Sequence, residues 1–448
     1  MVDVPPVVLD RTAAEPLSVQ LADALRAAAT GGALRPGDRL PSTRELATAL
    51  GVSRTVTAAA YDQLLAEGWA AGRRGAGTFV VGAAPGPLPA GAEAVGEPAP
   101  SGLLELRAGT PCLEVLDRAA WRRAWRAAGD SPPDAGPHPA GDLGFRTAVT
   151  GHLLRHRGLP ARADDLLATA GTSAAVGEIA RLLPPGSRVG VEDPGYQRVC
   201  GALREAGAEV VPLPVDDDGL VVDEVPAGLV AVYCTPAHQY PTGRRMSAAR
   251  RVELVARARA EGWWVLEDDY DGELRYDVAP LPLLGSLGPD VVVHLGTTSK
   301  IVSPTLGVGW LVAPPALRSE LVARRTATGT RPARAGQRVF AALASSGDLA
   351  RHLRRLRREL AGRRAEVVAA VAAAGLRVEG DPAGAHVLVP LPDAAREDAV
   401  VTSAAARGLA LDPLTRHGGT RAGLVLGFAA PLRAELTAAL PVLTELLT

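Results

Sequence analysis

One lysine in this chain of 448 residues carries a side chain whose chemistry arginine cannot supply. Lysine and arginine together number 48, and Lys300, which ends the stretch HLGTTSK, is the only lysine among them. A guanidinium stays protonated, whereas a lysine amine that is desolvated or near other cations can lose its proton and attack a carbonyl carbon. The alternative is drift in a composition that favours arginine. We therefore hypothesise a Schiff-base lysine at position 300 and test it against the neighbouring motifs.

Groups suited to a pyridoxal phosphate ring stand elsewhere in the same part of the chain. The pyridine nitrogen needs an acid to keep it protonated, and the stretch EDDYDGE offers Asp268 and Asp269 without deciding between them. Tyr270 follows them and is a candidate donor to the ring hydroxyl. Tyr196, in the stretch EDPGY, is a candidate to stack on the ring face.

The phosphate of such a cofactor would need a cradle of hydrogen-bond donors. The stretch AGTSAAVGE predicts a glycine-rich helix entry at Gly171, Thr172 and Ser173, and Ser299 is a further donor. Each motif alone has an ordinary explanation as an acidic turn, a core tyrosine or a helix entry. Their combination in one domain with the sole lysine favours pyridoxal phosphate as the cofactor.

Other site chemistries find no support in the motifs. A nucleotide-binding loop requires Ser or Thr after its lysine, but Ile301 follows Lys300. HExxH, paired cysteines at zinc spacing and GxSxG are missing from the sequence, so no metal site is predicted.

The region after residue 103 alternates short apolar runs with helical stretches. Runs such as RVGVEDPGY, EVVPLPV, GLVAVYCTP, WWVLEDDYD and VVVHLGTTSK predict strands, and residues 244–261 predict a helix. This alternation is typical of an α/β fold with a mainly parallel sheet. Ligands bind at the carboxyl ends of such strands, where the candidate residues stand.

The first 82 residues predict three helices followed by a strand hairpin. Ser42 with Glu45 has the spacing of a capping box before TRELATAL, and the short turn GVS leads into a second helix. Helix, short turn and helix is the arrangement that reads DNA, and the glycine-rich hairpin resembles a wing. The alternative is a three-helix bundle with solvated charges. The predicted DNA-contacting residues are Ser53, Arg54, Thr55 and Thr57 on the second helix and Arg73, Arg74 and Gly77 on the wing.

Composition bounds the domains and the compartment. The stretch 83–102 is rich in Pro, Gly and Ala and predicts a linker between domains 1–82 and 103–448. Net charge is −1, so DNA binding requires a local basic patch. Three widely spaced cysteines argue against a disulfide framework and indicate a reducing compartment. Neither a signal peptide nor an apolar run of membrane-spanning length is evident, so we predict a cytoplasmic protein without membrane contact.

Both halves resemble known families. The stretch GALRPGDRLPSTRELATALGVSRTVTAAAYDQLLAEGWAAGRRGAGTFV resembles the winged helix-turn-helix of the GntR superfamily, which implies DNA contacts at Arg44, Arg54, Arg74 and Gly75. The stretches EDPGY, CTPAHQYPTGRRMSAARR, LEDDYDGELRY, GTTSK and GDLARHLRRLRRELAGRR resemble fold-type I aminotransferases, specifically the MocR-type branch of GntR regulators.

The MocR-type resemblance implies roles for particular residues. Lys300 would attach the cofactor, Asp268 would pair with the pyridine nitrogen, Tyr270 would lie near the ring hydroxyl and Tyr196 would stack on the ring. Arg198 would lie near an effector carboxylate, and His238 is a second predicted effector-binding residue. A homodimer is also implied, with the DNA-binding units exchanged between subunits.

The chain departs from the aminotransferase pattern at four positions. Gly307 stands where a phosphate-binding arginine is usual, with Arg331, Arg334 and Arg421 as candidates to compensate. Val425 stands where enzymes carry the arginine for the substrate carboxylate. Gly136 stands where a tyrosine of the neighbouring subunit often reaches the cofactor. Tyr240 stands where aminotransferases use asparagine.

These observations favour a transcriptional regulator over two alternatives. The leading hypothesis is a DNA-binding dimer whose aminotransferase-like domain senses pyridoxal phosphate, or an amine or amino acid that condenses with it. One alternative is an active aminotransferase with a DNA-binding appendage, which Gly307 and Val425 disfavour. The other is a regulator whose domain has lost the cofactor.

Overall fold

A computed structural model describes residues 7–73, 76–81, 102–132, 136, 138–276 and 282–448. The chain divides into two compact units, Met1–Ala99 and Pro100–Thr448. The predicted linker 83–102 lies, apart from Gly102, outside the described residues.

The first unit contains the predicted three helices and hairpin. The helices are α1 (Leu17–Thr30), α2 (Thr43–Leu50) and α3 (Arg54–Ala66), and the hairpin strands are β1 (Ala70–Arg73) and β2 (Gly77–Val80). Apolar residues at helical spacing, including Leu21, Leu25 and Leu46, form its core with Leu64. Burial of these side chains supplies most of what stabilises so small a unit.

Caps fix where the two DNA-reading helices begin. Ser42 accepts a hydrogen bond from the Glu45 amide, and the Glu45 carboxylate accepts one from the Ser42 amide, so the predicted capping box is confirmed. Ser53 caps α3 by accepting from the Val56 amide. Gly51 ends α2 at φ 62°, a left-handed conformation that glycine adopts without strain. The two helices are thus held apart by a turn of only three residues.

Thr57 departs from its prediction as a DNA contact. Its side chain is fully buried, and its hydroxyl donates to the carbonyl oxygens of Thr43 and Arg54. The hydroxyl therefore joins α3 to the start of α2 and is not exposed at the surface of this unit.

We expect Thr57→Val to lower the free energy of unfolding of this unit by about 1–3 kcal/mol, because the Thr43 carbonyl loses a buried donor. Urea denaturation measures the loss. DNA affinity, compared under conditions where both proteins are fully folded, should stay unchanged. A large affinity loss in a folded variant would restore the DNA-contact prediction.

In the part of it that the structure describes, the second unit has an α/β fold with three sheets. Its strands are β3 (Leu104–Glu105), β4 (Leu166–Thr169), β5 (Arg188–Asp193), β6 (Glu209–Asp216), β7 (Gly219–Leu220), β8 (Ala231–Cys234), β9 (Trp264–Asp268), β10 (Val292–Thr297), β11 (Gly309–Val312), β12 (His386–Pro390), β13 (Leu409–Ala410) and β14 (Gly423–Gly427). Its helices are α4 (Arg118–Gly129), α5 (Leu143–Arg157), α6 (Thr172–Ala180), α7 (Gln197–Glu205), α8 (Ala248–Glu261), α9 (Leu284–Leu287), α10 (Pro315–Thr328), α11 (Arg334–Ser345), α12 (Asp348–Ala373), α13 (Ala394–Ala406) and α14 (Arg433–Leu447).

The main sheet has eight strands in the order β4-β11-β10-β9-β8-β5-β6-β7. Its central pairs, from β10 through β9, β8 and β5 to β6, are parallel, as predicted. Strands β11 and β7 are antiparallel to their neighbours. The remaining pairs are β12 with antiparallel β14 and β13 with parallel β3. The predicted α/β class with a mainly parallel sheet is confirmed.

One helix of the second unit begins later than the sequence predicts. The helix predicted over 244–261 begins only at Ala248, because a loop closed by hydrogen bonds between the backbones of Gln239, Gly243 and Arg244 precedes it. Within the described part of the chain, no helix has both the length and the apolar character needed to cross a bilayer.

Candidate functional site

The carboxyl edge of the main sheet brings the predicted cofactor residues together. Lys300 follows the end of β10, Asp268 ends β9, and Tyr196 follows the end of β5. Gly171 follows β4 and precedes α6. Since parallel strands end at one edge, residues far apart in sequence line one crevice there.

The Lys300 amine is half-buried and meets few compensating charges. Its Nζ donates to the carbonyl oxygen of Gly109. Burial, followed by the nearby positive charge of Arg198, lowers the pKa of Lys300, while Asp271 and Asp268 oppose the shift. A lowered pKa increases the neutral fraction of the amine, which is the form that attacks a carbonyl carbon.

The Asp268 carboxylate is buried with one oxygen left without a partner. Its Oδ2 accepts a 2.6 Å hydrogen bond from Tyr233, and among the described residues nothing bonds to its Oδ1. Burial raises its pKa to about 7, which the hydroxyls of Tyr233 and Thr172 oppose. A buried carboxylate oxygen of this kind is stabilised by a cationic donor, such as a protonated pyridine nitrogen.

Asp269 has its own permanent partner. Arg157 donates to Asp269 through Nε at 2.5 Å and through Nη2 at 2.7 Å, and both side chains are buried. The two adjacent acids, which the sequence could not tell apart, therefore differ: Asp269 is paired within the protein, and Asp268 retains an unpaired oxygen.

We expect the contribution of Asp268 to the stability of the cofactor-free protein to fall as pH rises from about 4 to about 7. The pKa of Asp268 is raised from its ordinary 3.8 to about 7, so the folded state keeps a proton that the unfolded state releases. The contribution of this group to the free energy of unfolding then falls across this window. Burial also raises the pKa of Glu192 to about 7, with the same sign.

Urea denaturation of wild type and Asp268→Asn at pH 5 and pH 8 isolates the Asp268 part. The free energy of unfolding of the variant minus that of wild type should be larger at pH 8 than at pH 5, by on the order of a few kcal/mol. Equal differences at the two pH values would contradict the assignment.

Tyr270 is held by His238 and Asp271. Its hydroxyl donates to the His238 carbonyl oxygen at 3.0 Å and lies 3.1 Å from His238 Nδ1. That nitrogen is also 2.9 Å from Asp271 Oδ2. His238, a predicted effector-binding residue, is buried and contacts the Tyr270 hydroxyl.

Tyr240, at the position where aminotransferases use asparagine, lies amid aromatic rings. Its ring centroid is 5.7 Å from that of Tyr196 and 6.2 Å from that of Tyr270, both in edge-on geometry. His386 and His417 are 5.4 and 5.1 Å away. Edge-on packing of this kind holds Tyr196, the predicted ring-stacking residue, in a defined orientation.

The loop that bears Tyr196 is tied to a distant segment of the chain. The Gly195 amide and the Gln197 side chain both donate to the His417 carbonyl oxygen, and the Gly419 amide donates to Asp193 Oδ1. Gly418 between them has φ 93°, and a Cβ there would overlap Asp193 Oδ1. Glycine is thus required at 418 for the two loops to meet.

The predicted phosphate cradle offers backbone and hydroxyl donors. Gly171, at φ 121°, precedes α6 and provides no side-chain cap, so the first amides of α6, at Thr172 and Ser173, are available to an anion. The Thr297 hydroxyl, which would lie 3.9 Å from a Cβ added at Gly171, donates to the hydroxyl oxygen of Ser299.

The three arginines predicted to compensate for Gly307 all have hydrogen-bond partners within the protein. Gly307 ends a short turn at φ 58°. Of the compensating candidates, Arg334 donates to Asp142, Arg421 to Glu379 and Arg331 to the carbonyl oxygens of Arg325 and Thr330.

The remaining departures are apolar or exposed. Val425 is fully buried on β14 against Leu388 and Leu414. Gly136 is exposed.

Arg198 is also exposed, at the start of α7, and its charge acts on both Lys300 and Tyr240. Among the described residues, no group of three or more His, Cys, Asp or Glu side chains is arranged to hold a metal ion.

The first unit exposes most of the predicted DNA-contacting residues. Arg44 lies on α2, while Ser53, Arg54 and Thr55 lie at the amino-terminal end of α3, and all four are exposed. Arg73 and Gly77 are exposed on the hairpin. Arg74 and Gly75 lie outside the described residues.

Comparison with known proteins identifies the family of the chain. Residues 17–80 match the bacterial regulatory proteins of the gntR family, and residues 102–418 match aminotransferase class I and II. The chain is 37% identical to the HTH-type pyridoxine biosynthesis transcriptional regulator PdxR of Corynebacterium glutamicum, over 92% of each chain. It belongs to the MocR-type GntR family of transcriptional regulators.

Two further matches extend this result. The probable rhizopine catabolism regulatory protein MocR of Rhizobium meliloti is 32% identical over 94% of this chain and 92% of its own. Kynurenine aminotransferase of Pyrococcus horikoshii superposes with a TM-score of 0.70 at 24% identity, covering 77% of this chain and 90% of that one, which shows the aminotransferase fold. The family thus joins a DNA-reading unit to an enzyme fold in one regulator.

Proposed function

We propose that this regulator binds pyridoxal phosphate at Lys300 and senses either the cofactor itself or a primary amine that reacts with it. The observation that carries the proposal is the unpartnered Oδ1 of buried Asp268, in the same crevice as the partly desolvated amine of Lys300. One group needs a cation, and the other is suited to a carbonyl carbon. A pyridine aldehyde satisfies both.

The residues of the crevice divide the binding task among them. Lys300 attaches the aldehyde carbon, Asp268 holds the ring nitrogen, and Tyr196 covers one ring face. The first turn of α6 receives the phosphate. When bound, the group supplies an electron sink for carbanion chemistry.

Sensing is favoured over turnover of ordinary amino acids. At the position where the enzymes carry a carboxylate-binding arginine, this chain has Val425, which is buried in an apolar cluster. A charged hydrogen bond lost at the phosphate, at Gly307, costs about 1.5–3 kcal/mol, which is about one to two decades in affinity. Weaker retention suits a protein that reports the cofactor's concentration.

We further propose that the regulator acts in the cytoplasm as a homodimer with exchanged DNA-binding units, in which residues 1–82 read DNA and residues 103–448 bind the effector. A paired helix-turn-helix reads two half-sites, which gives a dimer its operator specificity. The exposed basic and hydroxyl side chains at the start of α3 supply the contacts.

The test is DNA binding with and without pyridoxal phosphate. Duplexes enriched from a random pool by the full-length protein serve as the operator, and fluorescence anisotropy gives Kd. We expect the cofactor to change Kd at least fivefold in wild type, a coupling of about 1 kcal/mol. It should have no effect in Lys300→Arg, which keeps the charge. An equal response in both proteins would refute sensing through Lys300, and failure to enrich any duplex would refute DNA binding.

A further inference from the structure

The hairpin of the first unit carries a third strand-like edge. The Leu40 amide donates to the Thr78 carbonyl oxygen at 2.8 Å, and the Val80 amide donates to the Asp38 carbonyl oxygen at 3.0 Å. Arg39 lies opposite Phe79 in an antiparallel bridge. A segment that the sequence presents as a turn before α2 thus belongs to the wing.

The register places two arginines on one face of this wing. Arg39 is opposite Phe79, and Arg73 is opposite Gly77. Directly opposed residues, and residues two apart on one strand, share a face. The other face carries Leu40, which is buried in the core with Ala70 and Val80. The arginine face is therefore the outer one.

Packing brings both guanidinium groups close to residues of β2. The Arg73 guanidinium carbon lies 4.7 Å from the Phe79 ring centroid, a cation–π contact. A Cβ added to Gly77 would lie 3.0 Å from Arg39 Nε, so the Arg39 side chain crosses the glycine. Within residues 7–73 and 76–81, no carboxylate forms an ion pair with Arg39 or Arg73. Two cations thus share an exposed face. Hydrogen bonds from Ser42 lower the pKa of the Glu45 carboxylate, and the charge of Arg39 acts on it only at longer range, in the same direction.

We propose that Arg39 binds a phosphate of the DNA backbone alongside Arg73, on the outer face of the wing; this rests on the DNA binding proposed above. A guanidinium presents a planar fork that suits phosphate oxygens. A contact to the backbone adds affinity without reading sequence. The small residue at 77 lets the Arg39 side chain lie flat across the turn.

Salt dependence of DNA binding tests the proposal directly. The probe is a labelled random-sequence duplex of about 30 base pairs, titrated with the full-length protein at several KCl concentrations. Each neutralised phosphate contributes about 0.9 to the slope of log affinity against log salt. We expect Arg39→Ala and Arg39→Gln to lower this slope by about 1 and to weaken binding about three- to tenfold at low salt. Arg39→Lys should keep the slope.

Arg26→Ala is the matched control. It removes the same charge, but Arg26 is paired with Glu67, just beyond the carboxyl-terminal end of α3 and away from Arg54 at its start. Its slope should equal that of wild type. The glutamine variant keeps the side-chain stem over Gly77, so it separates loss of charge from damage to the wing.

The outcomes discriminate between the two proposals. Weaker binding with an unchanged slope in Arg39→Gln would make Arg39 structural and overturn the phosphate contact. The same holds if Arg26→Ala lowers the slope as much as Arg39→Ala. A wild-type protein that binds no duplex would overturn the proposed DNA binding itself.

Discussion

Lys300→Ala is expected to abolish covalent attachment of pyridoxal phosphate to this protein completely. The sequence contains no other lysine whose side chain could attach the cofactor in place of Lys300. After incubation with the cofactor, reduction with borohydride and removal of free cofactor, intact-protein mass spectrometry should show one added cofactor in wild type. The variant should show none.

Lys300→Arg serves as the control that keeps the positive charge. It should behave like the alanine variant, since a guanidinium does not lose its proton near neutral pH. Peptide mapping should locate the wild-type adduct at Lys300. An adduct at the amino terminus alone, or equal labelling of all three proteins, would show that Lys300 is not the attachment point.

Asp268→Asn and Asp269→Asn are expected to fail in different ways. Asn at 268 loses the charged partner of the ring nitrogen, which should weaken pyridoxal phosphate binding by about 10- to 100-fold, or roughly 1.5–3 kcal/mol. Asn at 269 leaves the buried Arg157 guanidinium without its counter-charge. Breaking such a pair costs about 3–5 kcal/mol of stability. Cofactor titrations measured by absorbance and urea denaturation, run on both proteins, separate the two effects.

The pair of variants is its own control, since each changes one carboxylate to an amide at adjacent positions. Cofactor-free Asp268→Asn should be no less stable than wild type at pH 8. If Asp269→Asn instead weakened cofactor binding with unchanged stability, the two roles would be reversed.

The sequence predicted what depends on local spacing. The Ser42 capping box, the strands that end at Asp193 and Asp268, and the crevice at the carboxyl edge all follow from short patterns. These features rest on periodicity and on residues a few positions apart, which a single sequence records.

What the sequence could not provide depends on partners that are distant along the chain. Asp269 is distinguished from Asp268 by Arg157, which is 112 positions away. Thr57 has helical spacing that suits either face, and its burial depends on how α3 packs against α2. Arg39 reads as part of a turn until its bridge to Phe79 is seen. Sheet pairing and tertiary packing decide all three.

The junction between the Tyr196 loop and the segment 417–419 has a mechanical consequence. Three hydrogen bonds join loops more than 200 residues apart, with Gly418 packed against Asp193 where no side chain can intervene. A hydrogen bond tolerates only a few tenths of an ångström of stretch before it weakens. The backbone beneath Tyr196 therefore cannot shift alone: a displacement either ruptures the junction or carries residues 417–419 with it. Movement of the loop that bears Tyr196 is thereby coupled to movement of residues 417–419.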